Sequence, residues 1–287
     1  MRPPSPSIAE KDFFFNALNQ NLRLDGRELL EPRQLGISFG SELGHVECSL
    51  GKTRVLAHVD AKMVRPEAQR PFEGLITIHC ELSPMAGSEY EPGRQSDEEI
   101  ALARMLDKIF RRSDAIDRET LCIIAGERVW HLHLSIHALA DAGGLLDCAS
   151  LASAAALRHF RRSEVEVIGA REVIVHDSTT RAPVPLAMHH TPFCVSFAFY
   201  SPPGVGREPR MLLDPAGLEQ RLAHGMLTLA LTPQRELAVV HKAGGLPLAP
   251  ESLMGAVQVA ARRARELEAW LDVRVREDWG RKKVEVR

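Results

Sequence analysis

The sequence lacks the long apolar runs that a membrane-spanning helix requires. Its longest apolar stretch, Phe193 to Tyr200, is far shorter than the roughly 18 to 20 residues needed to cross a bilayer. The first seven residues, Met1 to Ser7, are rich in proline, and no apolar signal-peptide segment follows them. These absences predict an intracellular protein that has no membrane partner.

Paired cysteines and an excess of one charge are also missing. The five cysteines are widely spaced and form no Cys-x-x-Cys pair, which argues against a disulfide framework and against a zinc site. Lysine and arginine number 36 against 38 acidic residues, for a formal net charge of -2. Overall charge therefore does not indicate a nucleic-acid binder, and any contact with RNA requires a local basic patch.

Apolar residues make up 45% of the 287 residues, enough for one large domain or two smaller ones. Four segments rich in β-branched or alternating apolar residues predict an antiparallel β-meander near the N-terminus. They are residues 34–39, 45–50, 53–64 and 75–82. The prolines between the last two segments cannot donate ladder hydrogen bonds, so residues 65–74 are predicted to form a loop.

Capping boxes predict the first two helices, one starting after Ser7 and one running from Ser96 to about Arg112. A predicted strand at 129–139 leads into a Gly-Gly turn and then a helix of small residues from Asp147 to Phe160. A small hairpin is predicted at 165–176.

Prolines then mark the start of a second half, and the predicted domains are residues 1–185 and 186–287. Strands are predicted at 193–200, 211–213, 226–231 and 236–241, with helices from Asp214 and from about Pro250 to Trp270. Beyond Asp272 we expect a charged tail that frays or extends toward a partner.

Several motifs in the right order resemble the ribonuclease PH family over nearly the whole chain. They are Arg23–Arg27, Gly51–Val55 and the strand, Gly-Gly turn and helix of Val129–Ser150. The resemblance implies an α+β ribonuclease PH fold with two antiparallel-sheet-plus-helix halves. The first would be a ribosomal protein S5 domain 2-like domain, and the second a smaller C-terminal ribonuclease PH domain.

Two further segments, Glu91–Asp97 and His189–Phe199, are similar to ring subunits of the eukaryotic RNA exosome. The partners this resemblance implies are other ribonuclease PH-like ring subunits, RNA-binding cap subunits, associated hydrolytic nucleases and single-stranded RNA. It also implies a location in the nucleus, nucleolus and cytoplasm. The implied role is structural support of 3′-to-5′ RNA processing and decay, including rRNA processing.

Phosphorolysis requires a bound phosphate, which arginines and helix N-terminal amides hold. Active members of the family carry a Thr-Arg pair after the turn, where this chain has Leu145 and Leu146. Their arginine pair at the first-domain helix is replaced by Asp97 and Glu98, which would repel phosphate. We therefore expect no catalytic residue, no metal and no cofactor. The alternative is an active phosphate-dependent exoribonuclease. A third possibility, an unrelated small-molecule enzyme, has no motif in this sequence to support it.

Asp214 matches the later of two acids in active relatives, yet Asp214-Pro215 is also typical of an N-cap followed by proline at the first helical position. We favour the capping role. A composite site completed by a neighbouring subunit stays open.

Four basic residues are candidates for RNA contact. Lys62, Arg65 and Arg70 lie on or beside the proline-rich loop, which resembles the family loop that faces the channel of the ring. Arg94 precedes the helix of Ser96 and is a weaker candidate for phosphate. Solvated charges or salt bridges between subunits are the alternative for all four.

Three histidines, His131, His133 and His137, share one face of a predicted strand. Same-face residues are separated by nearly 7 Å along a strand, which argues against their binding one metal ion.

Overall fold

The computed structural model describes residues 5–91, 93–169, 172–177, 180–201 and 209–282. Its five α-helices are α1 (Ile8–Asn19), α2 (Asp97–Leu106), α3 (Leu145–His159), α4 (Gly217–Leu222) and α5 (Pro250–Lys282). A π-helical turn at Asp107–Arg111 continues α2, and a 3-10 turn lies at Glu119–Leu121. None of these helices is long and apolar enough to cross a membrane.

Fourteen strands complete the described part of the chain. They are β1 (Leu35–Phe39), β2 (His45–Leu50), β3 (Thr53–Val64), β4 (Leu75–Leu82), β5 (Cys122–Ile124), β6 (Arg128–Ala140), β7 (Arg161–Arg162), β8 (Val165–Ile168), β9 (Glu172–Val175), β10 (Val184–Pro185), β11 (Phe193–Tyr200), β12 (Arg210–Leu213), β13 (Gly225–Leu231) and β14 (Leu237–His241). Helices packed on two main sheets confirm the predicted α+β class.

The first sheet has the strand order β1-β2-β3-β6-β4, with β5 paired to β6. Strands β1 to β3 form the predicted antiparallel meander. The prediction was wrong for β4, which does not pair with β3 and instead runs parallel to β6. The 13-residue β6 lies between them and takes the hydrogen bonds of both, so the first sheet is mixed.

Helix α3 lies between the two sheets and packs on β2, β3 and β11. Its alanines and serines are fully buried, which allows the strands on both sides to approach closely. One continuous core therefore includes residues from both halves of the chain. This central position places the N-terminus of α3 where the two halves meet.

The second sheet is antiparallel, in the order β12-β11-β13-β14. All eight residues of β11 are buried, and α5 packs on β11, β13 and α3. A smaller second core joins Phe14 and Leu18 of α1 to Tyr200 and its neighbours, and α1 begins with the predicted capping box at Ser7.

Helix α5 is longer than predicted, because it continues from Trp270 to Lys282 instead of ending in a frayed charged tail. Side chains on its last turns bind residues at and just beyond the end of α3. Asp272 pairs with Arg158, Asp278 lies 3.0 Å from His159, and the Arg161 guanidinium stacks 4.8 Å from the Trp279 ring. Lys283 and the residues after it lie outside the described residues.

The predicted boundary near residue 185 falls at β10, which pairs with β7 directly after α3. The division into residues 1–185 and 186–287 stays a prediction.

Candidate functional site

A cleft of about 550 Å³ opens at the N-terminus of α3. Residues from both halves of the chain line it: α2 and the Gly143–Gly144 turn come from the first half, and α4, β11, β13 and β14 from the second. Active members of the resembled family are expected to hold phosphate at this turn, so the cleft is the candidate site.

The two glycines of the turn are required by geometry. Gly143 and Gly144 have φ angles of 89° and 65°, which L side chains rarely adopt. A Cβ atom at Gly143 would lie 2.5 Å from the backbone nitrogen of Gly217, and one at Gly144 would lie 2.5 Å from the Arg33 guanidinium. The turn can therefore pack directly against the start of α4.

The backbone amides of this turn are bound within the chain. The N–H of Gly143 donates to Oδ1 of Asp141 at 2.9 Å, and the N–H of Gly144 donates to Oε1 of Gln220 at 3.2 Å. Free amides at a helix N-terminus are what would attract an anion. Here two side chains occupy the amides of the turn itself, whereas the amides in the first turn of α3 receive no side-chain cap.

The next two positions present apolar side chains to the cleft. Leu145 and Leu146 are the first two residues of α3, and both line the cleft while half-buried. Neither side chain carries a hydrogen-bond donor. The sequence itself shows that no arginine follows the turn. In the described part of the chain, Arg221 is the one arginine that lines the cleft.

Carboxylates surround the mouth of the cleft. The Tyr90 hydroxyl donates to Asp141 at 2.9 Å and lies 3.3 Å from Glu98, while Glu89 is a further lining residue. Burial, followed by the charges of Asp141, Glu98 and Glu89, raises the pKa of Tyr90 well above its usual range. An anion such as phosphate that entered the cleft would be repelled by the same three carboxylates.

Asp214 does not cap a helix, so the predicted capping role was wrong. Its φ angle is 50°, whereas α4 begins only after Ala216, whose backbone N–H donates to Glu219 at 2.7 Å. The Asp214 carboxylate instead accepts from the Arg33 backbone N–H at 2.8 Å and from its guanidinium at 2.6 and 2.9 Å. Arg27 lies 3.4 Å away.

This arrangement makes Asp214 a buried partner of arginine rather than a free acid. The Arg33 guanidinium also donates to the carbonyl oxygen of Gly143 at 2.9 Å, and thereby ties the N-terminal segment to the turn. Sequence reasoning missed Arg33, Tyr90 and Gln220. No local pattern marks them, because each contacts the site from a distant part of the chain.

Asp147 is the other acid near the turn. Its carboxylate accepts from the backbone N–H and the hydroxyl of Ser196 at 2.8 and 2.7 Å, which links α3 to β11. Burial raises its pKa to about 6, against the opposing effect of the Ser196 hydrogen bonds.

The four predicted RNA-contact residues are exposed in two separate places. Lys62 lies on β3 and pairs with Asp60 at 3.4 Å, and Arg65 and Arg70 follow in the predicted loop, where Arg70 pairs with Glu73 at 3.1 Å. Arg94 lies in the segment before α2. Their role in RNA binding stays a prediction.

The histidine rings lie closer together than strand spacing suggested, since His131 and His133 have ring centroids 3.8 Å apart. His131 hydrogen-bonds to Thr77 at 2.8 Å, and His137 lies 3.0 Å from Glu81. Among the described residues, no group of three or more His, Cys, Asp or Glu side chains is arranged to hold a metal ion.

Two family models match this chain. The 3′ exoribonuclease family, domain 1, matches residues 31–163, and domain 2 of the same family matches residues 190–263. The chain belongs to the ribonuclease PH family. The ribonuclease PH resemblance of the motifs is therefore confirmed, and the cleft lies at the meeting point of the two matched regions.

Relatives within the ribonuclease PH family include exosome proteins. The chain is 41% identical over 254 residues to the exosome complex component rrp45 of Schizosaccharomyces pombe. The aligned region covers 88% of this chain and 85% of that protein. It is 37% identical over 287 residues to exosome complex component RRP45 of Danio rerio, covering 98% of this chain and 72% of that protein.

Solved exosome structures share the fold. A chain of the Archaeoglobus fulgidus exosome with RNA bound to the active site superimposes with a TM-score of 0.74 at 28% identity. The similarity covers 90% of this chain and 96% of that chain. The predicted resemblance to exosome subunits is thus confirmed at the level of both sequence and structure.

Proposed function

We propose that this chain is a non-catalytic structural subunit of the RNA exosome ring. It supports 3′-to-5′ RNA processing and degradation, including rRNA processing, by forming part of the wall of the RNA channel. The similarity to exosome complex components over most of their length supports the placement in a ring. The fold shared with archaeal exosome chains supports it further.

The observation that carries the non-catalytic assignment is the lining of the cleft at the start of α3, where Leu145 and Leu146 offer no side-chain donor and Glu89, Glu98 and Asp141 are close by. The amides of Gly143 and Gly144 are already bonded to Asp141 and Gln220. An attacking phosphate would find the amides of the turn occupied, and it would bind the first turn of α3 beside Glu98, without an arginine at position 146.

The partners in this proposal are neighbouring ribonuclease PH-like ring subunits, RNA-binding cap subunits, hydrolytic nucleases and single-stranded RNA. Lys62, Arg65, Arg70 and Arg94 are the proposed RNA contacts, because exposed cations can follow phosphates without reading sequence. The proposed location is the nucleus, the nucleolus and the cytoplasm.

Arg221 is the observation that favours the alternative, an active phosphate-dependent exoribonuclease. It is the one guanidinium in the described lining of the cleft. However, its Nε donates to the carbonyl oxygen of Gly217 on its own helix at 3.3 Å, and its side chain is exposed. A single exposed arginine against three carboxylates makes a weak phosphate site.

The test is phosphate-dependent release of nucleoside diphosphates from labelled single-stranded RNA. We would assay the chain alone and co-expressed with the other ring subunits. We expect a stoichiometric ring and no phosphate-dependent product from either sample. Phosphorolysis by the isolated chain would overturn the proposal.

Activity of the assembled ring needs a further comparison, since a neighbour could be its source. Leu146→Trp places a large ring in the cleft of this chain beside the turn, and Met254→Trp, on the exposed side of α5, is the matched control. Activity that Leu146→Trp abolishes and Met254→Trp preserves would assign catalysis to this cleft. Equal activity of both variant rings would assign it elsewhere.

A further inference from the structure

The cleft at the start of α3 has an apolar floor. Leu102 and Met105 of α2, Leu145 and Leu146 of α3 and Met226 of β13 all line it. Apolar side chains facing an open cleft of about 550 Å³ suit an apolar ligand surface better than a phosphate.

The rim of this cleft carries uncompensated negative charge. Glu89 and Glu98 have no cationic partner among the described residues, and Asp141 is bound only by the neutral Tyr90 hydroxyl and a backbone amide. Among the described lining residues, Arg221 is the one permanent cation, and His241 is the other basic side chain. The negative potential is felt at Tyr90, whose pKa is raised by burial and then by these same three carboxylates.

We infer that the cleft binds a segment of a partner protein that carries lysine or arginine beside apolar side chains. The apolar side chains would cover Leu145 and Leu146, and the cation would lie between Glu89 and Glu98. Long basic side chains suit such a site, because their methylene stems pack on apolar surface while the charged end reaches the rim. The inference rests on the proposed function, since a phosphorolytic cleft would hold RNA and phosphate instead.

Other occupants match the cleft less well. RNA is an anion and would meet the carboxylates of the rim. A metal ion requires several converging ligands, and no group of three His, Cys, Asp or Glu side chains of the described residues is so arranged. A basic and apolar peptide matches the rim and the floor together.

The experiment uses the full chain and a fluorescein-labelled octapeptide, blocked at both ends, that contains two arginines among leucines and glycines. Two counterparts carry glutamine or glutamate in place of arginine. Fluorescence anisotropy should give about tenfold tighter binding for the arginine peptide than for the glutamine peptide, and none for the glutamate peptide. In the double variant Glu89→Gln and Glu98→Gln the tenfold preference should disappear.

The matched control is the double variant Glu67→Gln and Glu251→Gln. Both glutamates are exposed and outside the cleft, and Glu251 lies in the first turn of its helix as Glu98 does. We expect this control to keep the preference for arginine. An equal loss in both double variants would show binding to general surface charge and would overturn the inference.

The floor is tested with Leu146→Ala, which should weaken the arginine and glutamine peptides by the same factor. Competition by spermidine at equal concentration would assign the site to a small cation and overturn the inference.

The RNA assay on the same preparations separates the two proposals. Failure to bind peptide together with absent phosphorolysis refutes only the docking site, whereas phosphorolysis by the isolated chain refutes the non-catalytic function.

Discussion

Gln220 shows how a single side chain can take the place of a ligand. Its amide oxygen accepts from the Gly144 N–H, although the two residues are 76 positions apart. Asp141 does the same for Gly143 from two residues away. The two amides of the Gly143–Gly144 turn are therefore satisfied inside the chain, whereas the first turn of α3 receives no side-chain cap.

Restoring the Thr-Arg pair should not by itself restore phosphate binding. In the variant Leu145→Thr and Leu146→Arg, the new guanidinium would meet Glu98 and Asp141, and an ion pair with them would compete with phosphate. We expect isothermal titration calorimetry to detect no phosphate binding by this variant. Adding Glu98→Gln and Gln220→Ala should produce measurable phosphate binding, at least about tenfold tighter than the weakest binding that the titration can detect.

The paired variants serve as controls for one another. Glu98→Gln and Gln220→Ala without the Thr-Arg pair should also fail to bind, because the one amide freed, that of Gly144, is a weak site by itself. Phosphate binding by the Thr-Arg variant alone would show that the bound amides and the acidic rim are no barrier.

Asp147 should make stability depend on pH. The pKa of its carboxyl is about 6 in the folded chain because of burial, and about 4 in an unfolded chain. The folded state thus favours the neutral form, so the cost of ionising Asp147 is absent below about pH 4, grows as pH rises and is complete above about pH 6.

Asp147→Asn keeps an oxygen that can accept from Ser196 and removes the ionisation. We expect the variant to gain on the order of 2 kcal/mol in free energy of unfolding over the parent at about pH 7.5, and little at about pH 4.5. Urea denaturation at both pH values measures the difference. Asp60→Asn, on the face of the first sheet, is the control, and parallel curves for Asp147→Asn and the parent would contradict the prediction.

At the scale of elements, strand bounds could be predicted well and strand partners could not. Alternating apolar residues between glycines and prolines place β2, β3 and β11 at the residues where the structure has them. The same pattern does not say that β4 pairs with β6, because partner choice depends on a 13-residue strand far along the chain.

Some residues of the candidate site could likewise be predicted from the sequence, and others could not. Leu145, Leu146 and Glu98 could be found from the sequence because they occupy motif positions. The partners of Asp214 could not, since Asp214-Pro215 is equally typical of a helix cap. Long-range ion pairs such as Arg33 with Asp214, 181 residues apart, leave no local pattern.

The loop after β3 is the element where RNA contact is predicted. Arg65 and Arg70 of this loop and Lys62 at the end of β3 are exposed. Replacing all three by glutamine in the assembled ring should weaken RNA binding. It should also reduce the salt dependence, so that the negative slope of log affinity against log salt becomes smaller in magnitude by up to about 2. Arg111→Gln with Arg112→Gln is the control, and an unchanged slope in the loop variant would assign the loop to subunit contacts.

At the scale of the whole molecule, the N-terminal segment fastens the second half of the chain. Phe14 and Leu18 are buried against β11 and β12. Arg23 is buried with Glu219 at 2.5 Å and also donates to the carbonyl oxygens of Leu213 and Asp214. The segment is thus part of the fold, although the family match begins at residue 31.

A chain that begins at residue 35 should consequently be severely destabilised. It loses the burial of Phe14 and leaves the carboxylates of Glu219 and Asp214 without their arginines. A buried pair that loses one partner costs about 3–5 kcal/mol, and an apolar side chain adds about 1.5–3 kcal/mol. Together these losses approach the whole stability of an ordinary domain, about 5–15 kcal/mol.

Hydrogen exchange can locate that loss. We expect amides of β11 and β13 to exchange faster in the shortened chain, while those of β2 and β3 keep more of their protection, because the missing contacts are concentrated on the second sheet. Removal of residues 1–6 alone retains the Ser7 cap and should leave both sheets protected. If the second sheet were as well protected in the chain from residue 35 as in the full chain, the arginine contacts would not stabilise the second half.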